Sequence, residues 1–287
     1  MLKQRIITAA VLLAILLPAL FYPSPVPFNV LALLAMAAAA WEWGRLNGYG
    51  GKSALFVAFD CSALCLVSWK LGWIERPMPL AWLIGGALWV LAGAWLLRRG
   101  VAGWPGVPKT VRVIGGVLAL WLAWLAVAQA RVIGINFLLS ILLLVWIADV
   151  FAYFAGRAFG LRFTRGKLAP SISPGKSWEG VWGGMLGVVV LAVVWIVADR
   201  HAQPAVPSFY SRLAEQGWWL VAVGAIFLAA MSVVGDLVES LVKRSAGAKD
   251  SSSLLPGHGG VLDRIDALLP TLPLAMMLAT TLPAFPA

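Results

Sequence analysis

The chain has 287 residues, 61% of them hydrophobic and 12% charged, and a formal net charge of +10. An ordinary soluble domain carries about 25% charged residues, and a water-soluble core of this length could not hide so much apolar surface. Lipid is therefore the expected solvent for most of the chain. The basic residues sit in short loops between apolar runs, a pattern that fits anionic headgroups and argues against nucleic acid as a partner.

A membrane-crossing helix needs about 20 mostly apolar residues, and nine stretches answer to that measure. The first, near 6–22, follows Lys3 and Arg5 and looks like the start of a signal peptide, but eight further spans make it a retained helix. The second, near 28–46, carries Glu42 between Trp41 and Trp43 at its end, which reads as a membrane-interface residue. The third, near 53–73, holds Cys61 and Cys65 one turn apart; neighbours on one helix face are poorly placed for a disulfide, so packing is their expected role.

Spans near 79–97 and 112–130 follow, then one near 136–156 with Asp149 inside VWIADVFAYFAG, where pairing with Arg157 is one reading. A basic loop at 157–177 leads to spans near 178–198 and 217–242, the latter carrying Asp236 and Glu239 in MSVVGDLVESLVKR. A second loop, 243–262, is rich in Gly and Ser and precedes the ninth span, near 263–283, which opens on Asp263 and Asp266. The prediction is an all-α, polytopic membrane protein of one domain over 1–287.

Loop charge sets the expected orientation. With the N-terminus in the cytoplasm, 17 of the 22 basic residues fall inside and only Lys70, Arg76, Arg131, Arg200 and Arg212 fall outside. The nine spans then put Ala287 outside and both polar loops inside.

A charge at bilayer depth costs about 2.5–3.5 kcal/mol on insertion scales and usually faces a polar cavity or a partner. Asp149, Asp236, Glu239, Asp263 and Asp266 all fall toward the cytoplasmic ends of their spans. Asp236, Glu239, Ser240 and Lys243 share a helix face by their i, i+3, i+4, i+7 spacing, as do Asp263 and Asp266. Carboxylates at that density suit a hard cation such as Mg²⁺, which commonly bridges substrate phosphates. Lys176, Lys243, Arg244 and Lys249 suit the phosphates, as do backbone amides at Gly257, Gly259 and Gly260. The combination points to phosphoryl or nucleotidyl transfer involving a lipid. Gly175-Lys176-Ser177 is no P-loop, because Pro170 stands where that motif needs glycine and no strand precedes it.

The run of 27 residues from Ser240 to Asp266, SLVKRSAGAKDSSSLLPGHGGVLDRID, resembles the signature of the phosphatidate cytidylyltransferases. The stretch KLAPSISPGKSWEG from Lys167 to Gly180 and the early WEWGRL resemble the same family. The resemblance implies that CTP and phosphatidate give CDP-diacylglycerol and pyrophosphate at a cytoplasm-facing cavity of a bacterial inner-membrane homodimer. It implies a metal, Mg²⁺ with room left for a second cation, at Asp236 and Asp263. It places Ser240 and Lys243 near that metal, and suggests catalytic or substrate roles for Asp266, Lys176, Arg244, Lys249, His258, Gly259 and Gly260.

Two other readings stay open at this point. A CTP-dependent lipid kinase would share the membrane site but transfer the γ-phosphate. A secondary transporter would use intramembrane acids for ions, although such acids tend to sit near mid-bilayer.

Overall fold

The computed structural model describes residues 2–280. Eight helices are long and apolar enough to cross a membrane. They are α1 (Leu2–Phe21), α2 (Val26–Leu46), α3 (Gly51–Lys70), α4 (Pro79–Gly103), α5 (Lys109–Ile133), α6 (Ile135–Phe159), α7 (Trp178–Ala202) and α9 (Trp218–Ser245). A short amphipathic helix, α8 (Phe209–Gln216), buries Phe209, Tyr210 and Leu213 beneath α9 and was not foreseen. The polar loop after α6 folds into an antiparallel hairpin, β1 (Lys167–Ala169) and β2 (Ser173–Ser177), also unforeseen because so short a ladder leaves little period-2 signal.

The ninth predicted span is broken. It starts as a single turn, α10 (Leu262–Ile265), stops at Asp266–Ala267 and resumes as α11 (Leu268–Thr280); residues 281–283 of the predicted span lie outside those described. The thirteen described residues of α11 rise about 20 Å, against a hydrocarbon core of about 30 Å. Broken backbone is tolerated in a membrane where protein rather than lipid surrounds it. That holds here: Leu269, Leu272, Leu274, Ala275, Met276 and Ala279 are buried, with α4, α5, α6 and α9 packed around them. Apolar residues on α1, α3, α4 and α7, such as Ile7, Phe56, Leu91 and Val194, face outward instead, as lipid-facing surfaces do.

Close helix contacts use small residues. A Cβ added to Gly183 on α7 would stand 2.1 Å from the Ala155 Cβ on α6, and one on Gly235 of α9 would stand 2.5 Å from the Asp266 carbonyl. The second contact seats the broken segment against the polar face of α9. Cys61 and Cys65 are buried and free, in keeping with a packing role.

The helix connections sort into two opposite faces. On the face holding the start of α1, Lys109 donates to the Gly48 carbonyl (3.0 Å) and Ser245 to that of Val101 (2.8 Å). On the other, Asn136 and Ser211 converge on Asp199 (3.0 and 2.6 Å), and Gln129 donates to the Trp73 and Arg76 carbonyls.

Candidate active site

The polar site forms on the first of these faces, where α9, the hairpin, the break before α11 and the loop after α9 meet. On α9, Asp236 accepts from Ser240 Oγ one turn on (3.2 Å) and from Lys176 Nζ on β2 (2.5 Å). One turn further, Lys243 Nζ lies 2.6 Å from Glu239 Oε2 and 2.5 Å from Asp263 Oδ1. The expected acid faces therefore do converge, and two ammonium groups sit between them.

Asp263 does more than face α9. Oδ2 accepts from the Gly260 amide (2.7 Å), the Ser251 amide (3.0 Å) and Ser251 Oγ (2.9 Å), while Oδ1 takes Lys243. These donors meet the charge of a carboxylate that is largely buried. Asp266, in the break between α10 and α11, accepts from the Ala267 amide through Oδ1 (2.7 Å).

The remaining predicted residues divide. Lys249 and Arg244 are exposed at the mouth of the site, and Arg244 reaches the Ile172 carbonyl of the hairpin at 3.5 Å. His258 is structural as well as accessible: its carbonyl accepts from Arg264, and its Nδ1 is buried with no hydrogen-bond partner among the described residues. Gly257 and Gly259 have positive φ, 77° and 84°, which favours glycine because a Cβ is strained there. The Gly260 amide is committed to Asp263, so its expected role as a phosphate donor gives way to a structural one. Asp149 on α6 does not pair with Arg157, which bonds to Tyr153; it lies within the electrostatic reach of Asp236 and Lys176.

Two further residues hold the loops of the site, and their part is not apparent from the sequence. Glu42 is fully buried, not an interface residue, and its carboxylate grips the loop after α9. Glu179, at the start of α7, accepts from the Phe163 and Thr164 amides (3.1 and 2.8 Å) and from Thr164 Oγ1 (2.8 Å), holding the approach to the hairpin. Both lie inside stretches that drew notice, WEWGRL and SWEG, but nothing in their spacing names the partners.

Asp149, Asp236 and Asp266 lie within one electrostatic neighbourhood around Lys176. Among the described residues, no three His, Cys, Asp or Glu side chains form a ready-made metal cage. Mg²⁺ is commonly held by one or two carboxylates plus substrate phosphates rather than by protein alone, and Asp236, part exposed beside Lys176, is a carboxylate of that kind. Beside the polar cluster, a cavity of about 600 Å³ opens between α4, α5 and α9. Its walls are almost wholly apolar, including Leu88, Trp89, Leu96 and Gly115, and it ends at Glu239 and Leu262.

Residues 3–282 match the model of the cytidylyltransferase family. The chain belongs to that family. It is 38% identical over 278 residues to a phosphatidate cytidylyltransferase of Pseudomonas aeruginosa, covering 95% of each chain. To one of Haemophilus influenzae it is 36% identical over 301 residues, covering 95% of this chain and 96% of that one. A Brucella abortus protein of the same name is 35% identical over 270 residues, covering 93% and 89%.

Proposed function

We propose that this protein transfers the cytidylyl group of CTP to phosphatidate, forming CDP-diacylglycerol and pyrophosphate. The observation that carries the reading is the juxtaposition of a polar, carboxylate- and lysine-lined site with an apolar cavity, in a chain whose relatives bear that activity in their names. A water-soluble nucleotide and a lipid can then meet without the acyl chains leaving an apolar environment.

The phosphatidate phosphate is already an anion near neutral pH, so its oxygen attacks the CTP α-phosphorus without a dedicated general base. A new P–O–P bond forms, the bond from the α-phosphorus to the bridging oxygen of the β-phosphate breaks, and the electron pair leaves with pyrophosphate. The protein's task is positioning and charge neutralisation. Lys176 and Lys243 are held at the centre by Asp236 and Asp263, ready to be shared with phosphate oxygens. Arg244 and Lys249, exposed at the mouth, draw in the anionic substrates. Asp236 and Asp263, with Asp266 beside them, would hold Mg²⁺, and a second cation has carboxylate oxygens to share. When bound, the metal supplies neutralisation of phosphate charge. Ser240 keeps Asp236 oriented.

The setting proposed with this reaction is a homodimer in a bacterial inner membrane, with the site facing the cytoplasm, where CTP is. Purified protein in detergent, given phosphatidate, Mg²⁺ and CTP labelled at the α- or γ-phosphorus, tests the reaction. The α-label is expected in lipid and the γ-label in pyrophosphate. Recovery of the γ-label in lipid would establish a lipid kinase instead.

A further inference from the structure

Glu42 lies one turn from the end of α2 and is 0% exposed. A buried carboxylate is costly unless hydrogen bonds meet its charge. Here each oxygen takes two donors. Oε1 accepts from Ser252 Oγ (2.5 Å) and the Val261 amide (3.0 Å), and Oε2 from Ser251 Oγ (3.1 Å) and the Leu262 amide (2.7 Å). All four donors belong to the loop after α9 or to the first residue of α10, between 209 and 220 positions along the chain.

Ser251 joins this carboxylate to the reactive cluster. Its Oγ is 3.1 Å from Glu42 Oε2 and 2.9 Å from Asp263 Oδ2. One hydroxyl carries one proton, so it donates to a single carboxylate at a time and accepts no proton from either. Gly260 closes the contact: a Cβ there would stand 2.5 Å from Glu42 Oε1 and 1.9 Å from Ser251 Oγ. The loop is thus pinned at 251–252 and again at 261–262, on both sides of its glycine turn.

We propose that Glu42 is a positioning residue of the active site, resting on the cytidylyltransferase reading above. It touches no reacting atom. By tying the two ends of the loop to α2, it sets where Asp263 stands and, through the 2.5 Å contact between them, where Lys243 stands. Two amides, the Ser252 hydroxyl and the shared Ser251 hydroxyl need acceptor lone pairs at both oxygens, which a carboxylate supplies. Glutamine keeps the shape but turns an NH₂ toward a backbone amide that cannot accept it, leaving one end of the loop without its acceptor. Aspartate is one methylene short of reaching both ends.

Three variants of the full chain test this, with size-exclusion elution in detergent as the folding control. Glu42→Gln is expected to lower kcat on the order of a hundredfold, the scale of a misplacement of about 1 Å, with the KM for CTP moving less than about threefold. Glu42→Asp should recover part of that kcat, because its charge still meets one end of the loop. Ser251→Ala cuts only the bridge between the two carboxylates; it should lower kcat about tenfold and be non-additive with Glu42→Gln. A well-folded Glu42→Gln protein with near-normal kcat, or a Ser251→Ala protein with unchanged kcat, would overturn the proposal. Trypsin cleavage after exposed Lys249 is a readout independent of turnover, and it should be at least about tenfold faster in Glu42→Gln than in the wild type. Equal cleavage rates would also overturn the proposal. Wild-type protein that is inactive with CTP and phosphatidate would instead sink the functional reading, leaving the protease result to judge the loop anchor.

Discussion

At the scale of single residues, Asp236 and Asp263 are unequal although both stand in the same cluster. Asp236 meets two side chains, Lys176 and Ser240, and stays part exposed. Asp263 is bound into the loop by the Ser251 and Gly260 amides besides Lys243, and shares the Ser251 hydroxyl with Glu42. Asp236→Asn is therefore the cleaner test of metal binding: turnover across a Mg²⁺ titration is expected to fall on the order of a thousandfold, with unchanged elution. Near-normal turnover at low Mg²⁺ would remove Asp236 from the metal site. Asp263→Asn should lose activity and also loosen the loop, since an NH₂ would face amide donors.

At the scale of elements, the apolar cavity and the broken helix are the two features that separate this bundle from simple packed spans. Gly115 on α5 lines the cavity, and nothing lies within 4 Å of where its Cβ would be. Gly115→Leu is therefore expected to fill space rather than clash, and to favour the helix by up to about 1 kcal/mol. If the cavity takes an acyl chain, the variant should raise the KM for long-chain phosphatidate several-fold. The KM for CTP and turnover of a short-chain phosphatidate should be little changed. Equal kinetics on both lipids would assign the cavity to packing. Gly235 makes the opposite case, because its Cβ would meet the Asp266 carbonyl and Pro270. Gly235→Ala is expected to push the break away from α9 and to reduce both activity and thermal stability.

At the scale of the whole molecule, the contacts of α11 show how the broken segment runs through the bundle. α10 packs on α2 and α9 beside the polar site, whereas α11 reaches α8 on the opposite face. The segment thus runs from one face of the bundle toward the other, while eight helices among the described residues meet the length for a membrane crossing. The proposed orientation puts 17 of the 22 basic residues on the cytoplasmic side, and in it a reporter active only outside the cytoplasm should be active after Ala287 and silent within 157–177. The reverse pattern would place the site away from CTP.

The eight long apolar helices, the charge bias and the two polar loops were legible in the residues alone, because hydropathy and charge are local properties summed over about 20 neighbours. The shared face of Asp236, Glu239, Ser240 and Lys243 was legible too, since helical spacing places them. The hairpin that delivers Lys176 to Asp236, the break at Asp266 and the burial of Glu42 against the loop were not. Each depends on which helices become neighbours: Lys176 meets a residue 60 positions away and Glu42 meets donors more than 200 away. Periodicity orients a side chain on its own helix but does not say which partner fills the space in front of it. A glutamate beside two tryptophans at a helix end looks the same in sequence whether it faces headgroups or the amides of a distant loop. Only the packed tertiary structure, where a buried carboxylate must find donors, decided between them.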